Sequence, residues 1–259
     1  MARVRPRANS SSLFAESANL LEASAVLARI IPNGSLEQII YRVDALHWLE
    51  DRGVHVMNSP RTIERCVDKF YTSALLREAG LDTPDTVVCE RLDDAMAAVR
   101  EMGDVVIKPL FGSMGHGMVR VSDPETAFRV LRALDLTRAV FYVQRVIEHR
   151  GCDVRAFVVG GRVIAAIERR ATDGGWRTNV SLGGDARAIE LSPAWADMAT
   201  TAARVVHADY AGVDLLPATD GTVYVLEVNG IPGWSGVQKA TSVDVAGAIV
   251  DHLLTKVGT

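Results

Sequence analysis

The stretch AGVDLLPATDGTVYVLEVNGIPGW, residues 211–234, limits the fold more than any other part of this chain. An apolar run, an Asp220-Gly221 dipeptide and the alternating segment Val223 to Asn229 spell a β-hairpin, because Asp-Gly readily supplies the positive φ angles of a tight two-residue turn. With that dipeptide as the loop, Asp214 stands opposite Glu227. Directly opposed residues share one side of a sheet, and the period of two adds Asn229 to that side. Like charges placed opposite each other repel, and a carboxylate in an apolar strand is costly to bury unless something neutralises it. A divalent cation answers both problems: Mg²⁺ or Mn²⁺ suits hard oxygen ligands, with phosphate oxygens and water completing the shell. The competing account is an ordinary hairpin whose acids lie on a solvated face, and Pro217 can enlarge the loop or shift the register by one.

With 259 residues the chain can form one large domain or two to three small ones. Apolar residues at 48% and charged residues at 23% describe a globular protein, and a formal net charge of −4 argues against a general nucleic-acid or anionic-membrane binder. Cys66, Cys89 and Cys152 lie far apart, which suggests neither a disulfide framework nor a zinc site and fits a reducing, cytoplasmic setting. No apolar run approaches the length of a membrane span. Arg3, Arg5 and Arg7 with a serine cluster predict a disordered tail; a transit peptide is the rival account, weakened by Glu16 and Glu22 following so soon.

Leu13 to Ile31 reads as a mostly apolar helix stopped at Pro32, and Ser35-Leu-Glu-Gln38 as the capping box of a second helix running to about Asp51. After Gly53, Val54 to Met57 is a short strand, and Asn58-Ser59-Pro60 turns the chain into one helix through about Ala79. From Thr83 strands alternate with helices: Thr86–Cys89, Leu92–Met102, Val105–Lys108, Val119–Val121, Pro124–Leu134 and a strand near 141–144. Between Lys108 and Val119 lies PLFGSMGHG. Gly112, Gly115 and Gly117, with Ser113, allow backbone N–H groups to approach phosphate oxygens, and Lys108 adds a point charge. A flexible hairpin with Lys108 at a strand end is the alternative. The loop is no P-loop, since no Gly-Lys-Ser/Thr closes it.

A second hairpin, Asp153–Val159 and Arg162–Arg170 around Gly160-Gly161, pairs Asp153 with Glu168 and Arg155 with Ala166 if the register is regular. Asp153, Arg155, Glu168 and Arg170 then share a face, with Phe157 and Ile164 nearer the turn. A solvated charge cluster is as consistent with this as a site. Arg177-Thr-Asn179 and Gly183-Gly184 read as a loop, and Trp195 to His207 as a helix.

In order along the chain stand Asp68-Lys69, Val106-Ile-Lys108, GSMGHG, Gly151-Cys-Asp-Val-Arg155, AAIERR ending at Arg170, Arg177-Thr-Asn179, AGVDLL and LEVNGIPG. This series, from about Asn58 to Leu254, resembles the ATP-grasp superfamily and within it the RimK-like α-L-glutamate ligases. The resemblance implies an α+β, ATP-grasp fold, in which two α+β subdomains clasp ATP behind a shortened helical and α/β N-terminal region. The units would be 1–60, then a linker helix and the lysine and glycine-loop subdomain over 61–144, then a metal-binding subdomain over 145–259.

By the same resemblance Asp214, Glu227 and Asn229 hold Mg²⁺ (or Mn²⁺); Lys69 and Lys108 hold phosphates with Gly112, Ser113, Gly115 and Gly117; and Gln144, Arg145, Val146 and Ile147 form the hinge for adenine. Asp153, Thr178 and Asn179 join the ATP site, while Arg155, Arg170 and Arg177 face the acyl phosphate and the acidic substrate. The family usually carries an acidic residue where Arg145 stands, so that side chain's contact with adenine or ribose is in question. The front end is also shorter than the family's usual α/β domain, and it is the part that often shapes the acceptor pocket.

The implied reaction is ATP-dependent ligation of L-glutamate to an acceptor carboxylate through an acyl phosphate. Residues 229–254 look most like a subgroup linked to tetrahydromethanopterin- and methanofuran-type one-carbon cofactors, which points to a small-molecule acceptor. A homo-oligomer is compatible with the sequence. Two alternatives stay open: an ATP-grasp ligase for another amino acid, and a catalytically silent nucleotide-binding subunit.

Overall fold

The computed structural model describes residues 6–9, 11–112, 117–171 and 185–258. Its first part departs from expectation. In place of a helix over Leu13–Ile31 the chain forms strands β1 (Pro6–Ala8), β2 (Leu13–Ala15) and β3 (Ala18–Asn19) of one small sheet, a single 3₁₀ turn at Leu20–Glu22, and β4 (Ala25–Leu27). Glu16 adopts a left-handed backbone (φ 56°), which turns the chain between β2 and β3, and the Asn19 side chain caps the 3₁₀ turn at Leu21. The stretch is rich in helix formers, yet its backbone hydrogen bonds are better met by pairing β4 in parallel with a strand 30 residues further along, a case of tertiary context overriding propensity. Helix α1 (Leu36–Asp51) follows as expected, with Ser35 and Gln38 closing the capping box. The partner of β4 is β5 (His55–Met57).

The single helix expected after Pro60 is two: α2 (Pro60–Val67) and α3 (Lys69–Glu78). Asp68 ends the first with an extended backbone and caps the second by accepting from Tyr71 N. The next unit matches the sequence closely: β6 (Thr86–Cys89), α4 (Leu92–Met102), β7 (Val105–Lys108), β8 (Val119–Val121), α5 (Pro124–Asp135) and β9 (Phe141–Arg145). Its antiparallel sheet has the order β6-β9-β7-β8. Val105, Ile107, Phe141 and Val143 point at α4 and α5, packing on Ala95, Val99, Ala127 and Leu131. Alternation sends Val106, Lys108, Tyr142 and Gln144 to the opposite face.

The larger sheet contains β10 (Cys152–Val159), β11 (Arg162–Arg170) and β12 (Asp185–Ala188); helix α6 (Pro193–Val205) leads to β13 (Tyr210–Pro217) and β14 (Val223–Asn229). The order is β12-β11-β10-β13-β14, with every pair antiparallel. One face is apolar over β10, β13 and β14: Val154, Ala156, Val158, Val213, Leu215 and Val228 pack on Ala199, Ala202 and Ala203 of α6 and on Leu76 of α3. The other face is divided. Phe157, Val159, Ile167 and Tyr210 lie with Val237, Val245 and Ile249 of α7 (Ser235–Thr241) and α8 (Val245–Val257). Further along the same strands that face carries Asp153, Arg155, Arg169, Asp214 and Glu227.

Both hairpins contain a bulge. Gly160-Gly161 is the two-residue turn expected, with φ 56° and 74°, but a register shift between Phe157 and Val158 leaves Ile164 as an extra residue. Beyond it Asp153 pairs with Arg169 and Arg155 with Ile167, not with Glu168 and Ala166. The extra residue inverts the face of everything after it on β11, so Arg169 joins Asp153 and Arg155 while Glu168 and Arg170 turn to the other side. In the β13–β14 hairpin Ala218 N donates to Thr222 O at 2.8 Å, making Thr219–Gly221 a three-residue loop rather than two. A compensating bulge at Leu226 restores the pairing, and Asp214 faces Glu227 as the sequence predicts.

Candidate active site

The open face of the small sheet and the charged part of the large sheet line a cleft of about 710 Å³. Lys108, Gln144, Arg145, Val146, Ile147, Asp153, Arg170, Asp214 and Glu227, nine of the residues singled out from sequence, border it. Its apolar walls, Val106, Met118, Leu216 and Leu226, come from both sheets.

On the small-sheet side the Lys108 ammonium donates to Gln144 Oε1 at 2.5 Å; Gln144 Nε2 donates to Thr86 Oγ1 at 2.9 Å and to the Tyr142 hydroxyl at 3.2 Å. This network fixes the lysine at the cleft floor. Burial lowers its pKa to about 8, against the attraction of Glu227 and with the help of Lys69. Lys69, at the N-terminus of α3, donates to Leu110 O at 3.1 Å and Gly112 O at 2.9 Å, so it holds the root of the glycine loop. At Gly112 a Cβ would lie 3.2 Å from Pro109 Cγ, and Gly117 has φ 76°. Ser113 and Gly115 lie outside the described residues.

The hinge answers the question posed by Arg145. Its guanidinium turns to Asp85 Oδ2 (3.2 Å) and Met102 O (3.0 Å). The amides of Arg145 and Val146 donate to the carbonyls of Asp85 and Asp104, both at 2.9 Å. Thr219 N donates to Glu148 O at 2.9 Å, tying the hinge to the tip of the β13–β14 hairpin.

On the large-sheet side four charges alternate across three strands. Arg155 Nε and Nη2 both reach Asp214, each at 2.7 Å; Arg169 contacts Asp153 at 2.7 and 2.6 Å and reaches Asp214 at 2.9 Å. Burial alone would raise the pKa of Asp214, but the Arg155 and Arg169 guanidiniums hold it down at about 2. Glu227 shifts the other way: burial, and next to it Asp214, raise its pKa, while Arg155, Lys69 and Lys108 pull it down. Among the described residues Glu227 takes part in no ion pair. Asn229 lies further along the same face, opposite Gly212, and its Oδ1 accepts from Ile231 N at 3.0 Å. A half-buried carboxylate pushed toward protonation, beside a second carboxylate and an amide oxygen, fits an Mg²⁺- or Mn²⁺-type cation.

Arg170 is corrected in one respect: it does not share the Asp153–Arg155 face. It stands at the cleft rim, half exposed, paired at 2.7 Å with Glu168, which also binds Arg187 at 3.0 Å. Arg177, Thr178 and Asn179 lie outside the described residues. The sequence reading missed Arg169, because one unforeseen bulge exchanged the two members of the Arg169-Arg170 pair. It also missed Arg120, on the cleft wall and held by Asp104 at 3.1 Å; alternation in Val119-Arg120-Val121 was the available signal.

The profile of the RimK-like ATP-grasp domain matches residues 66–253. The tetrahydromethanopterin:alpha-L-glutamate ligase of Methanosarcina acetivorans is 35% identical over 261 residues, covering 90% of this chain and 81% of that protein. The ribosomal protein bS6--L-glutamate ligase of Escherichia coli O139:H28 is 36% identical over 224 residues, covering 85% and 74%. Among solved structures, the ATP-grasp ligase PsnB in complex with a minimal precursor superposes with a TM-score of 0.75 at 24% identity, covering 98% of this chain and 86% of that one. That likeness establishes the α+β ATP-grasp fold.

Proposed function

The chain belongs to the RimK-like ATP-grasp family, and from that membership we propose that it is an ATP-dependent ligase joining the amine of L-glutamate to an acceptor carboxylate. One observation carries the reading: Lys108 on one sheet and the Asp214–Glu227 pair on the other border a single cleft. Anionic phosphate groups suit the first, and a phosphate-bound cation the second. Residues 61–144 and 145–259 would be the two clasping units, with 1–60 in front of them.

In the reaction an acceptor carboxylate oxygen attacks the γ-phosphorus of ATP and ADP leaves. The glutamate amine then attacks the acyl carbon, phosphate departs, and the nitrogen loses a proton to leave an amide. Lys108 holds phosphate oxygens from its Gln144 anchor, while Lys69 shapes the glycine loop whose amides, with Ser113, cover them. The hinge from Gln144 to Ile147 packs against adenine between the apolar walls, and Asp153, Thr178 and Asn179 complete the nucleotide site. Asp214, Glu227 and Asn229 would hold Mg²⁺ or Mn²⁺, which when bound neutralises phosphate charge. Arg155, Arg170 and Arg177 supply the positive charge that a site for two acidic substrates needs, and preorganised donors of this sort contribute about 10²–10³ each in rate. None of these steps requires a nucleophilic side chain.

For the acceptor we propose a small-molecule carboxylate of the tetrahydromethanopterin type, supported by the named relative. No helix among the described residues is long and apolar enough to cross a membrane, and we place the reaction in the cytoplasm. The test is ADP release with ATP, L-glutamate and tetrahydromethanopterin, each withheld in turn. Glutamate-dependent turnover supports the reading; turnover with a different amino acid, or none with any acceptor, refutes it.

A further inference from the structure

Residues 230–234, GIPGW, form unpaired chain between the metal-face strand β14 and helix α7, gripped both by the large sheet and from outside it. Pro232 sits on Gly212: a Cβ there would lie 3.1 Å from Pro232 Cβ and 3.7 Å from Arg155 Cδ and Nε. The proline and the arginine stem therefore share one glycine as their floor, and a displaced Pro232 opens space beside the Arg155 stem. The other end of the segment is held by Arg29, just after β4. Its Nη1 donates to Pro232 O at 3.2 Å, and its guanidinium carbon stands 3.5 Å from the centroid of the Trp234 ring. Arg29 is itself backed by Tyr210, whose hydroxyl donates to Ala28 O at 3.0 Å. Asn58 Nδ2 completes the frame by donating to Gly230 O at 2.6 Å and Tyr210 O at 2.7 Å.

We propose that Arg29 is a positioning residue for the ligase reaction: by clamping Pro232 and Trp234 it fixes the segment that flanks Arg155, and so sets the acidic-substrate side of the cleft. The inference rests on the ligase reading above. Its physical basis is directional. A planar guanidinium stacked on indole with one N–H aimed at a carbonyl fixes both position and orientation, and a lysine can supply only the charge.

The experiment compares wild type, Arg29→Ala, Arg29→Lys, Trp234→Ala and the Arg29→Ala/Trp234→Ala double variant. Steady-state ADP release is measured against L-glutamate with tetrahydromethanopterin present, and Mg·ATP affinity separately by calorimetry. Loss of the stacking and hydrogen-bond contacts predicts a rise of about tenfold in the glutamate KM of Arg29→Ala, with a much smaller change in Mg·ATP affinity and only partial rescue by lysine. The double variant is expected to be no worse than the more impaired single one, because the two side chains act as a unit. An unchanged KM, a proportional fall in ATP affinity, or additive losses overturn the proposal. Absence of glutamate-dependent turnover in wild type instead overturns the ligase reading, so the two failures are distinguishable.

Discussion

Replacing Arg169 by methionine keeps most of the side-chain volume and removes the central cation of the Asp153–Arg169–Asp214–Arg155 row. Arg169 is 3% exposed, and its loss takes from Asp153 a bidentate partner at 2.7 and 2.6 Å and from Asp214 one of two guanidiniums. Breaking a buried ion pair by deleting one partner costs about 3–5 kcal/mol. For a chain of this size about 2–4 °C of Tm accompanies each kcal/mol, so a fall of roughly 6–20 °C is expected. Arg170→Ala is the matched comparison. Its side chain is 53% exposed and its partner Glu168 keeps Arg187, so the expected cost is about 0–1 kcal/mol, or a shift of a few degrees at most. Differential scanning fluorimetry of both variants without nucleotide measures the contrast. The regular hairpin register would reverse it, putting Arg170 on the site face; equal losses, or a larger loss for Arg170→Ala, would refute the bulge at Ile164 and the charge row built on it.

Three further outcomes follow from the site's electrostatics. Glu227→Gln is expected to abolish turnover and weaken Mg·ATP binding while raising the Tm of the nucleotide-free protein, because it removes a half-buried charge facing Asp214; wild-type turnover would take Glu227 out of the site. Lys108→Ala should weaken ATP binding with little rescue by arginine, which is too broad for the Gln144 anchor, and wild-type ATP affinity should decline as pH rises past about 8; calorimetry across pH that finds flat affinity argues against the lysine contact. Asp209, just before β13 and bonded to His252 and Lys256 of α8, has its pKa lowered: burial opposes the shift, but Lys256 and His252 overcome it. A carboxyl depressed on folding adds stability that is fully present above its unfolded pKa and is lost as pH falls through the folded one, so Asp209→Asn should flatten the acid limb of the stability curve; an unaltered limb in urea titrations contradicts this.

Much of the site could be read from residue order alone, because its signals are local. The Ser35–Gln38 capping box, the Gly160-Gly161 turn and the parity that puts Lys108 and Gln144 on one side of the small sheet each depend on a few neighbouring residues and on backbone geometry. The row of family motifs from Asp68 to Gly233 needs only sequence. What depended on distant partners was not legible. Leu13–Ile31 has the composition of a helix, and only β5, further along the chain, gives β4 a better use for its hydrogen-bonding groups. Pairing Asp214 with Glu227 came out right although the turn is one residue longer than expected, since the bulge at Leu226 cancels the error. No such cancellation occurs in the neighbouring hairpin, where Ile164 exchanges Arg169 for Arg170. Parity along one strand is a local property and sequence determines it; where two strands slip past each other is decided by the packing of both sheet faces at once, and only the tertiary structure decided which arginine meets the buried carboxylates.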